Sequence, residues 1–248
     1  MSGRDLQLTV FGVSGRMGRA VIAAAEESPG VAVKGTTTSA GDPAAALRGA
    51  DVAIEFALPQ ATAANLAACV AAKRPLVIGT TGHDEAQRAQ IAAAAKQIGI
   101  VMAPNMSLGV NVLLKLVELT AGKLDANYDI EIFDAHHRGK KDAPSGTALA
   151  LGAAAAAGRG VRLSDSAEYA RHGAGEPRRR GAIGFSVFRG GDVVGDHTVT
   201  FAGAGERIEL THRASDRMAF ARGAVQAARW LVGKSPGLYS MQDVLGLV

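Results

Sequence analysis

A glycine-rich loop between the first strand-like segment and the first helix-like segment is the strongest constraint on this chain of 248 residues. Leu6–Val13 has the apolar, β-branched composition of a strand, and Arg16–Glu27 has the pattern of a helix that ends before Pro29-Gly30. The loop between them reads Gly12-Val-Ser-Gly15-Arg-Met-Gly18. Glycines permit a tight turn there, and the helix that follows points free backbone N–H groups at an anion.

This loop predicts the pyrophosphate site of a dinucleotide-binding fold, although its glycines stand three residues apart and do not follow the commoner G-x-G-x-x-G order. A glycine-rich turn by itself would mean little. Its position after the first strand of a βαβ series favours cofactor binding. The predicted cofactor contacts from this loop are Gly12, Val13, Ser14, Gly15, Arg16 and Met17.

The first half of the chain alternates short apolar segments with helix-like segments, as a parallel sheet requires. After Leu6–Val13, the predicted strands are Val31–Thr36, Asp51–Ala57, Pro75–Gly79 and Ile100–Ala103. Ala61–Lys73 and Asp84–Gly99 have helical patterns between them. Five strands with four linking segments predict an α/β domain built on a Rossmann-type parallel sheet.

The pattern changes after Pro104-Asn105. Ser107–Leu124 has helical periodicity, and Tyr128–Phe133 begins with strict alternation of apolar and charged residues. Further predicted elements are strands at Ala182–Phe188, His197–Phe201 and Arg207–Thr211, and a helix at Asp216–Gly233 that packs back on the first domain. We therefore expect a second domain of α+β type with a mixed, mostly open sheet over residues 107–216, and a first domain made of 1–106 and 217–248.

The end of the second predicted strand bears on the choice of cofactor. An acidic residue normally grips the adenosine ribose there, but this chain has Thr36-Thr37-Thr38-Ser39 and no acid before Asp42. Hydroxyl groups with Lys34 or Arg16 nearby would accept the extra phosphate of NADP, which a carboxylate would repel. Thr38 is therefore a predicted cofactor contact. NADPH is expected before NADH, and a site for both cofactors and an ordinary threonine-rich loop remain as alternatives.

Two more segments follow predicted strands at the edge of the sheet where such folds bind ligands. They are Gly79-Thr80-Thr81-Gly82 and Ala103-Pro104-Asn105-Met106. Their small residues leave room for a nicotinamide ribose, and their backbone amides are available to contact it. We predict cofactor contacts at Gly79, Thr80, Thr81, Ala103, Pro104, Asn105 and Met106.

The segment from Asp134 to Thr147 contains the candidate residues for proton transfer and substrate binding. Ser145-Gly146-Thr147 opens a predicted helix and forms an anion site, and Lys140, Lys141 and Arg138 beside it favour a carboxylate-bearing substrate. His136 and His137 supply groups that exchange a proton near neutral pH. Because no cysteine and no H-E-x-x-H spacing accompanies these histidines, no metal site is predicted.

Composition excludes several classes of function. The net charge of +4 is mild, and with 4% aromatic residues the chain has little surface on which nucleobases could stack, so no nucleic-acid partner is expected. The arginine cluster 178–180 is interpreted as a solvated loop. No apolar run is long enough for a bilayer, and Met1–Val13 lacks the pattern of a signal peptide. A single cysteine, Cys69, fits a reducing cytoplasm.

The central run H-H-x-x-K-x-D-A-P-S-G-T, from His136 to Thr147, resembles the signature of the 4-hydroxy-tetrahydrodipicolinate reductases, also called dihydrodipicolinate reductases. The resemblance extends over essentially the whole chain. It includes the glycine-rich loop, Gly79–Gly82, Asn105–Asn111, Ile183–Thr198, Ala214–Phe220 and Gly237–Val244.

This resemblance implies a nicotinamide-dependent reduction of a cyclic imine dicarboxylate in diaminopimelate and lysine biosynthesis. It implies that His136 is a proton donor or acceptor, that Lys140 is a second proton donor, and that His137, Gly146 and Thr147 hold the carboxylates of the substrate. It also implies a homotetramer formed through the sheet of the second domain. The family usually has an acidic residue where this chain has Thr38 or Ser39, which again favours NADPH.

Two other functions remain compatible with the residues alone. One is a different two-domain NAD(P) oxidoreductase, and the other is a sensor that binds NAD(P) without turnover. The loop that contains His136 and Lys140 argues against a sensor, because a sensor needs no acid and no cation beside the nicotinamide.

Overall fold

The computed structural model describes residues 4–247. They divide into two compact units: the described residues up to Leu108 together with those from Arg217 onward, and Gly109–Asp216. The first boundary lies two residues beyond the predicted one at 106. Residues 1–3 and 248 lie outside the described residues. The predicted domain limits include these residues, and the segment Met1–Val13 begins within them.

The strands, in chain order, are β1 Leu6–Phe11, β2 Val31–Thr37, β3 Val52–Glu55, β4 Leu76–Ile78, β5 Gly99–Met102, β6 Asp129–His136, β7 Ala167–Glu168, β8 Ile183–Arg189, β9 Gly195–Gly203, β10 Glu206–Ala214 and β11 Gly237–Tyr239. The α-helices are α1 Arg16–Glu26, α2 Pro43–Ala46, α3 Thr62–Ala72, α4 Glu85–Ala94, α5 Leu108–Lys123, α6 Gly146–Gly158, α7 Leu163–Ser166, α8 Met218–Leu231 and α9 Met241–Leu245, and Pro59–Ala61 forms a short 3₁₀ turn. No helix in the described part of the chain is long and apolar enough to cross a membrane.

The first unit contains a six-stranded parallel sheet in the order β11-β5-β4-β3-β1-β2. Helices α1 and α8 contribute to the core on one face, and α3 and α4 to the core on the other. The central strands are buried on both faces, which explains their nearly continuous apolar sequences. The Rossmann-type parallel sheet predicted from the sequence is confirmed.

Several boundaries of the first unit differ from those expected. The predicted helix over residues 84–99 ends at Ala94, and the strand after it begins at Gly99. The sheet also has a sixth strand, β11, which pairs with β5 and was not predicted. Three residues show too little periodicity to reveal a strand, and this one is defined by its pairing with a segment far away in the sequence.

The second unit contains a mixed five-stranded sheet in the order β10-β9-β6-β8-β7, as expected. Its central strand β6 is antiparallel to β9 and parallel to β8. Ile130 and Ile132 point from β6 into a core that also contains apolar residues of α5 and α6. These two helices approach closely, since a Cβ at Gly158 would lie 2.2 Å from the carbonyl oxygen of Glu118.

The close approach at Gly18 yields a prediction about stability. A Cβ at Gly18 would lie 2.3 Å from the carbonyl oxygen of Gly12, whereas one at Gly15 would lie 3.4 Å from the same atom, an ordinary contact. Gly18→Ala should therefore lower the free energy of unfolding by about 2 to 3 kcal/mol through overpacking. The matched control Gly15→Ala should lower it by less than ~1 kcal/mol. Urea unfolding without cofactor measures both, and equal effects would contradict the proposed constraint.

Candidate active site

The backbone of the glycine-rich loop lies too close to its neighbours for side chains at two positions. Gly12 has a φ of +88°, and a Cβ there would lie 2.1 Å from the carbonyl oxygen of Phe56. Gly18 is packed against the carbonyl of Gly12. The N–H of Gly12 donates to the carbonyl oxygen of Thr37 at 2.8 Å, and the N–H of Val13 donates to the same atom at 3.3 Å. These contacts fix the loop beside the end of β2.

The N-terminus of α1 is open to solvent. Gly15 occupies the N-cap position, and among the described residues no side chain caps this helix. Ser14, Gly15 and Arg16 are exposed. The backbone N–H groups of the first turn have no partner within the helix, and the helix dipole favours an anion there. This arrangement fits the pyrophosphate of a dinucleotide.

A small cavity of about 230 Å³ lies beside this loop in the first unit. It is lined by Met17, Phe56, Gly79, Pro104, Asn105, Met106 and Phe220. Five of these were predicted as cofactor contacts from three separate segments of the sequence. Phe56 and Phe220 were not predicted. The only available signal for Phe56 is that it directly follows β3, and Phe220 comes from the distant helix α8.

The cavity depends on Gly79, because a Cβ at this position would lie 2.2 Å from the ring of Phe56. Three other predicted cofactor contacts, from the segments 79–82 and 103–106, lie outside the lining of this cavity. Thr80 is buried, and its Oγ1 accepts a hydrogen bond from the N–H of Ala57 at 2.9 Å. Thr81 is exposed, and Ala103 belongs to the hydrophobic core. Thr80 and Ala103 therefore support the walls and do not line this cavity.

A buried carboxylate holds the segment after β4, and the sequence analysis did not identify it. Glu55 is fully buried at the end of β3 and accepts hydrogen bonds from Thr62 Oγ1 at 2.7 Å and Asn65 Nδ2 at 3.0 Å. The Nε2 of His83 lies 2.9 Å from the same Thr62 hydroxyl. This chain of contacts ties Gly79–Gly82 and the residue after it to β3 and α3.

A second cavity of the first unit, of about 500 Å³, borders the end of β2. Its lining includes Val13, Lys34, the threonines Thr36, Thr37 and Thr38, Gly41, Asp42 and Arg48. Lys34 and Thr38 were expected here, whereas Arg16 is not part of the lining and Arg48 was not predicted. The first acidic side chain after β2, that of Asp42, caps α2 by accepting from the N–H of Ala44 at 2.9 Å.

In the second unit, Asp134 on β6 is fully buried among polar partners from four elements. Its Oδ1 lies 3.0 Å from Nδ1 of His136 and 3.2 Å from Nε2 of His197, and it accepts from Ser145 Oγ at 2.8 Å. Its Oδ2 accepts from the N–H of Ser145 at 2.8 Å and from Nη2 of Arg189 at 3.0 Å.

The ionisation of Asp134 follows from these partners. Burial by itself would raise the pKa of the Asp134 carboxyl, but the close contacts of His136 and His197 and the hydrogen bonds from Ser145 outweigh burial and hold this pKa well below its usual range. These contacts therefore stabilise the charged form of the Asp134 carboxylate.

The segment after β6 carries the predicted substrate residues. Nζ of Lys140 lies 2.9 Å from Asp142 Oδ2, and the hydrogen bond from Lys140 lowers the pKa of the Asp142 carboxyl. The side chain of Lys140 is 22% exposed, so solvent and ligands reach it. His137 is half-buried, and its carbonyl oxygen accepts from the N–H of Lys140 at 3.1 Å. Arg189 Nη2 donates to the carbonyl of Asp142 at 2.6 Å and fixes the far end of the segment.

The three residues that open α6 differ in their surroundings. Ser145 is the N-cap, and its Oγ accepts from the N–H of Ala148 at 3.1 Å. Its hydroxyl is already bonded to Asp134, and the residue is 1% exposed, so its role in this structure is to join α6 to Asp134. Gly146 is exposed, and no atom would lie within 4 Å of a Cβ there. Thr147 is half-buried in the first turn.

Asp134, His136 and His197 each offer one potential ligand atom, and these atoms lie within 4.8 Å of one another. The spacing would suit a metal ion, which the sequence did not suggest. Both oxygens of Asp134 already accept hydrogen bonds from Ser145, and the guanidinium of Arg189 beside Oδ2 would repel a cation. We therefore interpret the group as a hydrogen-bond network.

The arginine cluster lies on the second unit and has a structural role at one position. Arg178 contacts Asp129 at 2.7 Å and Glu131 at 2.9 Å, and it donates to the carbonyl oxygens of Ile130 and Ala182. It therefore fastens the segment before β8 to β6. Arg179 and Arg180 are exposed, as expected of a solvated loop, whereas Arg178 is half-buried.

Two family descriptions match this chain. One, for the N-terminus of dihydrodipicolinate reductase, matches residues 6–106, and the other, for the C-terminus, matches residues 109–245. A 4-hydroxy-tetrahydrodipicolinate reductase of Thiobacillus denitrificans is 50% identical over 98% of this chain and 99% of its own length. The enzyme of the same name from Laribacter hongkongensis shows the same identity and coverage.

Solved structures show the same fold. A dipicolinate-bound dihydrodipicolinate reductase from Paenisporosarcina sp. TG-14 superposes with a TM-score of 0.75 at 20% identity, covering 96% of this chain and 98% of that one. GenD2 of gentamicin A biosynthesis, solved in complex with NAD, superposes with a TM-score of 0.61 at 13% identity, covering 100% and 92%. The sequence identity of 50% with the curated reductases extends over nearly the whole chain. It therefore supports neither of the two alternative functions, an NAD(P)-binding sensor or a different dehydrogenase. The chain belongs to the dihydrodipicolinate reductase family, the oxidoreductases that act on 4-hydroxy-tetrahydrodipicolinate.

Proposed function

We propose that this chain performs the family's reduction with His136 and Lys140 as its proton-transferring side chains and with NADPH as its preferred reductant. The observation that carries this proposal is the grouping at the end of β6. A histidine against a buried carboxylate, a partly exposed lysine and an exposed glycine at the start of a helix lie within one short segment, His136–Gly146.

The reaction needs a hydride, a proton and stabilisation of the charge that develops on the substrate ring. When bound to the first unit, a reduced nicotinamide would supply the hydride. His136 and Lys140 supply the proton and a positive charge next to the ring, where general acid catalysis and electrostatic stabilisation act together.

Two carboxylates of the substrate need donors with fixed directions. The backbone at Gly146, in the first turn of α6, provides one such donor, and the open space beside this residue leaves room for a ligand. Thr147 and His137 provide side-chain donors near the same place. We propose that Gly146, Thr147 and His137 hold the substrate, with Ser145 fixing the helix start that they depend on.

The proposed cofactor contacts follow the loop and the two cavities of the first unit. The open N-terminus of α1, flanked by Gly12–Met17, receives the pyrophosphate, and the small cavity bordered by Met17, Gly79 and Pro104–Met106 receives the nicotinamide end. Thr80, Thr81 and Ala103 support that end. At the other end, Lys34, Arg48 and Thr38 border the cavity beside β2 without a carboxylate from β2 itself, which favours the 2′-phosphate of NADPH.

The outer face of the sheet in the second unit supports the homotetramer that we propose. Phe133 is 42% exposed and lies beside Ser186 and Thr198 in the sheet, and Phe188 is 47% exposed two residues beyond Ser186 on the same face. Two exposed phenylalanines on one sheet face are typical of an interface. We also infer a cytoplasmic location, because the proposed reductant is an intracellular metabolite and Cys69 is a free thiol.

The activity and the role of Lys140 are tested together. Supplied with the condensation product of aspartate semialdehyde and pyruvate, the protein should oxidise NADPH, which is followed by its absorbance. Lys140→Ala should lower turnover by about two orders of magnitude or more, the size of a lost acid–base group, and should leave the Kd for NADPH unchanged. Lys123→Ala, at the end of α5, is the control. A folded wild-type protein without NADPH oxidation would overturn the proposed function, and an active Lys140→Ala would overturn the role of Lys140.

Cofactor preference is tested at the cavity beside β2. Replacing Lys34 and Arg48 by alanine should weaken NADPH binding by roughly 10- to 100-fold, because charge-assisted hydrogen bonds to a phosphate are lost. NADH binding should change by less than about twofold, since NADH has no 2′-phosphate. Titration of nicotinamide fluorescence measures both constants, and Arg74→Ala, before β4, is the control. An equal loss of affinity for NADPH and NADH would show that Lys34 and Arg48 do not bind the 2′-phosphate.

The proposed homotetramer is tested by measuring the molar mass of the protein with light scattering. The wild-type protein should have four times the chain mass of 25.3 kDa. Phe188→Asp should give smaller species, because a carboxylate in an apolar interface is costly to desolvate. Val161→Asp introduces the same charge at another exposed apolar position, 46% exposed, and should leave the mass unchanged. A monomeric wild-type protein would contradict the tetramer.

A further inference from the structure

The Nδ1 atom of His136 faces the buried carboxylate of Asp134. It lies 3.0 Å from Oδ1 of Asp134, and no other hydrogen-bond partner of this nitrogen is present among the described residues. The oxygen lies off the direction of the ring N–H bond, so the contact in this structure is a short charge contact and not a linear hydrogen bond. A carboxylate only accepts hydrogen bonds, so it favours the ring form that carries a proton on Nδ1.

The carboxylate cannot turn away from the ring. Both of its oxygens accept hydrogen bonds from Ser145, and Arg189 holds Oδ2 from the neighbouring strand β8. The ring of His197 contacts Oδ1 from β9 and packs edge-on against the ring of His136, with 5.1 Å between the ring centres. Asp134 and the plane of the His136 ring are therefore fixed by groups from several elements of the second unit.

The opposite ring nitrogen has room beside it. A Cβ at Gly195 would lie 3.1 Å from Nε2 of His136, so any side chain at this position would crowd that atom. Glycine at the start of β9 keeps this space open. Nε2 therefore differs from Nδ1 in its surroundings, since Nδ1 is buried against a charge and Nε2 is not confined by a side chain at Gly195.

We propose that Asp134 is a positioning residue that keeps a proton on Nδ1 of His136, so that Nε2 is the atom that exchanges a proton with the substrate. This inference rests on the proposed function of His136. In the transfer, the Nε2–H bond breaks, its electron pair stays on Nε2, and the proton forms a new bond to the substrate. The ring is left neutral with Nδ1–H facing Asp134, and a proton from water restores Nε2–H before the next turnover.

Asp134→Asn separates this role from simple packing. Asparagine has nearly the same shape, but its amide N–H₂ can donate to Nδ1, which favours the opposite ring form, with the proton on Nε2. A neutral ring of that form cannot take up a proton at Nε2. We expect kcat to fall by about 100-fold or more while the Kd for NADPH changes by less than about twofold.

The tautomer of the His136 ring is the measurement that separates the two roles, because a purely structural role of Asp134 would not determine it. Nitrogen-15 NMR of protein labelled at its six histidines, recorded at alkaline pH, should show the wild-type His136 with its proton on Nδ1. The resonance is assigned by its absence in His136→Gln. In Asp134→Asn, the proton should move to Nε2. Asp129→Asn is the matched control, because it removes a carboxylate of the same strand that pairs with Arg178 instead of a histidine.

The possible outcomes distinguish this inference from the function on which it rests. An active His136→Gln would overturn the proposed role of His136. An inactive His136→Gln together with an Asp134→Asn of nearly wild-type kcat would overturn only the positioning role. Because the wild-type spectrum needs no variant of Asp134, a proton on Nε2 in the wild-type protein overturns the inference even if Asp134→Asn does not fold.

Discussion

The buried carboxylate of Asp134 is the contact on which the candidate active site most depends. It receives hydrogen bonds or charge contacts from β6, β8, β9 and the start of α6, through His136, Arg189, His197 and Ser145. An unpaired buried charge would be strongly destabilising, so each of these donors is needed to keep the carboxylate inside. The same contacts orient a histidine and fix the helix N-terminus proposed to bind substrate, so stability and chemistry share one network.

In the first unit, close packing at two glycines positions the segments proposed to bind the cofactor. Gly12 and Gly79 let Phe56 lie against the loop and the cavity, where a larger residue at either glycine would collide with it. Behind this surface, the buried carboxylate of Glu55 anchors the segment after β4 through Thr62. In both units, a buried carboxyl group and its hydrogen-bond partners hold the segments that carry the proposed function.

The parallel sheet and the glycine-rich loop were predictable because both depend on local signals. Hydrophobic alternation, glycine spacing and helix-start residues act within about a dozen residues. The strand β11 and the cavity residue Phe220 were not predictable, since each is defined by contact with a segment far away in the sequence. Arg48 was missed for a related reason, because only the folding of α2 against β2 brings it to the cavity that Lys34 also borders.

The sequence by itself determined the type of fold, the family resemblance and the segment, His136–Thr147, that carries the proposed chemistry. These follow from residue type and spacing, which need no three-dimensional information. Only the tertiary structure decided what each side chain of that segment contacts. It showed that Ser145 caps α6 and is bonded to Asp134, and it brought His197 beside His136. The physical reason is that hydrogen-bond partners are selected by distance and direction in space, and strands from distant parts of the chain meet only in the folded sheet.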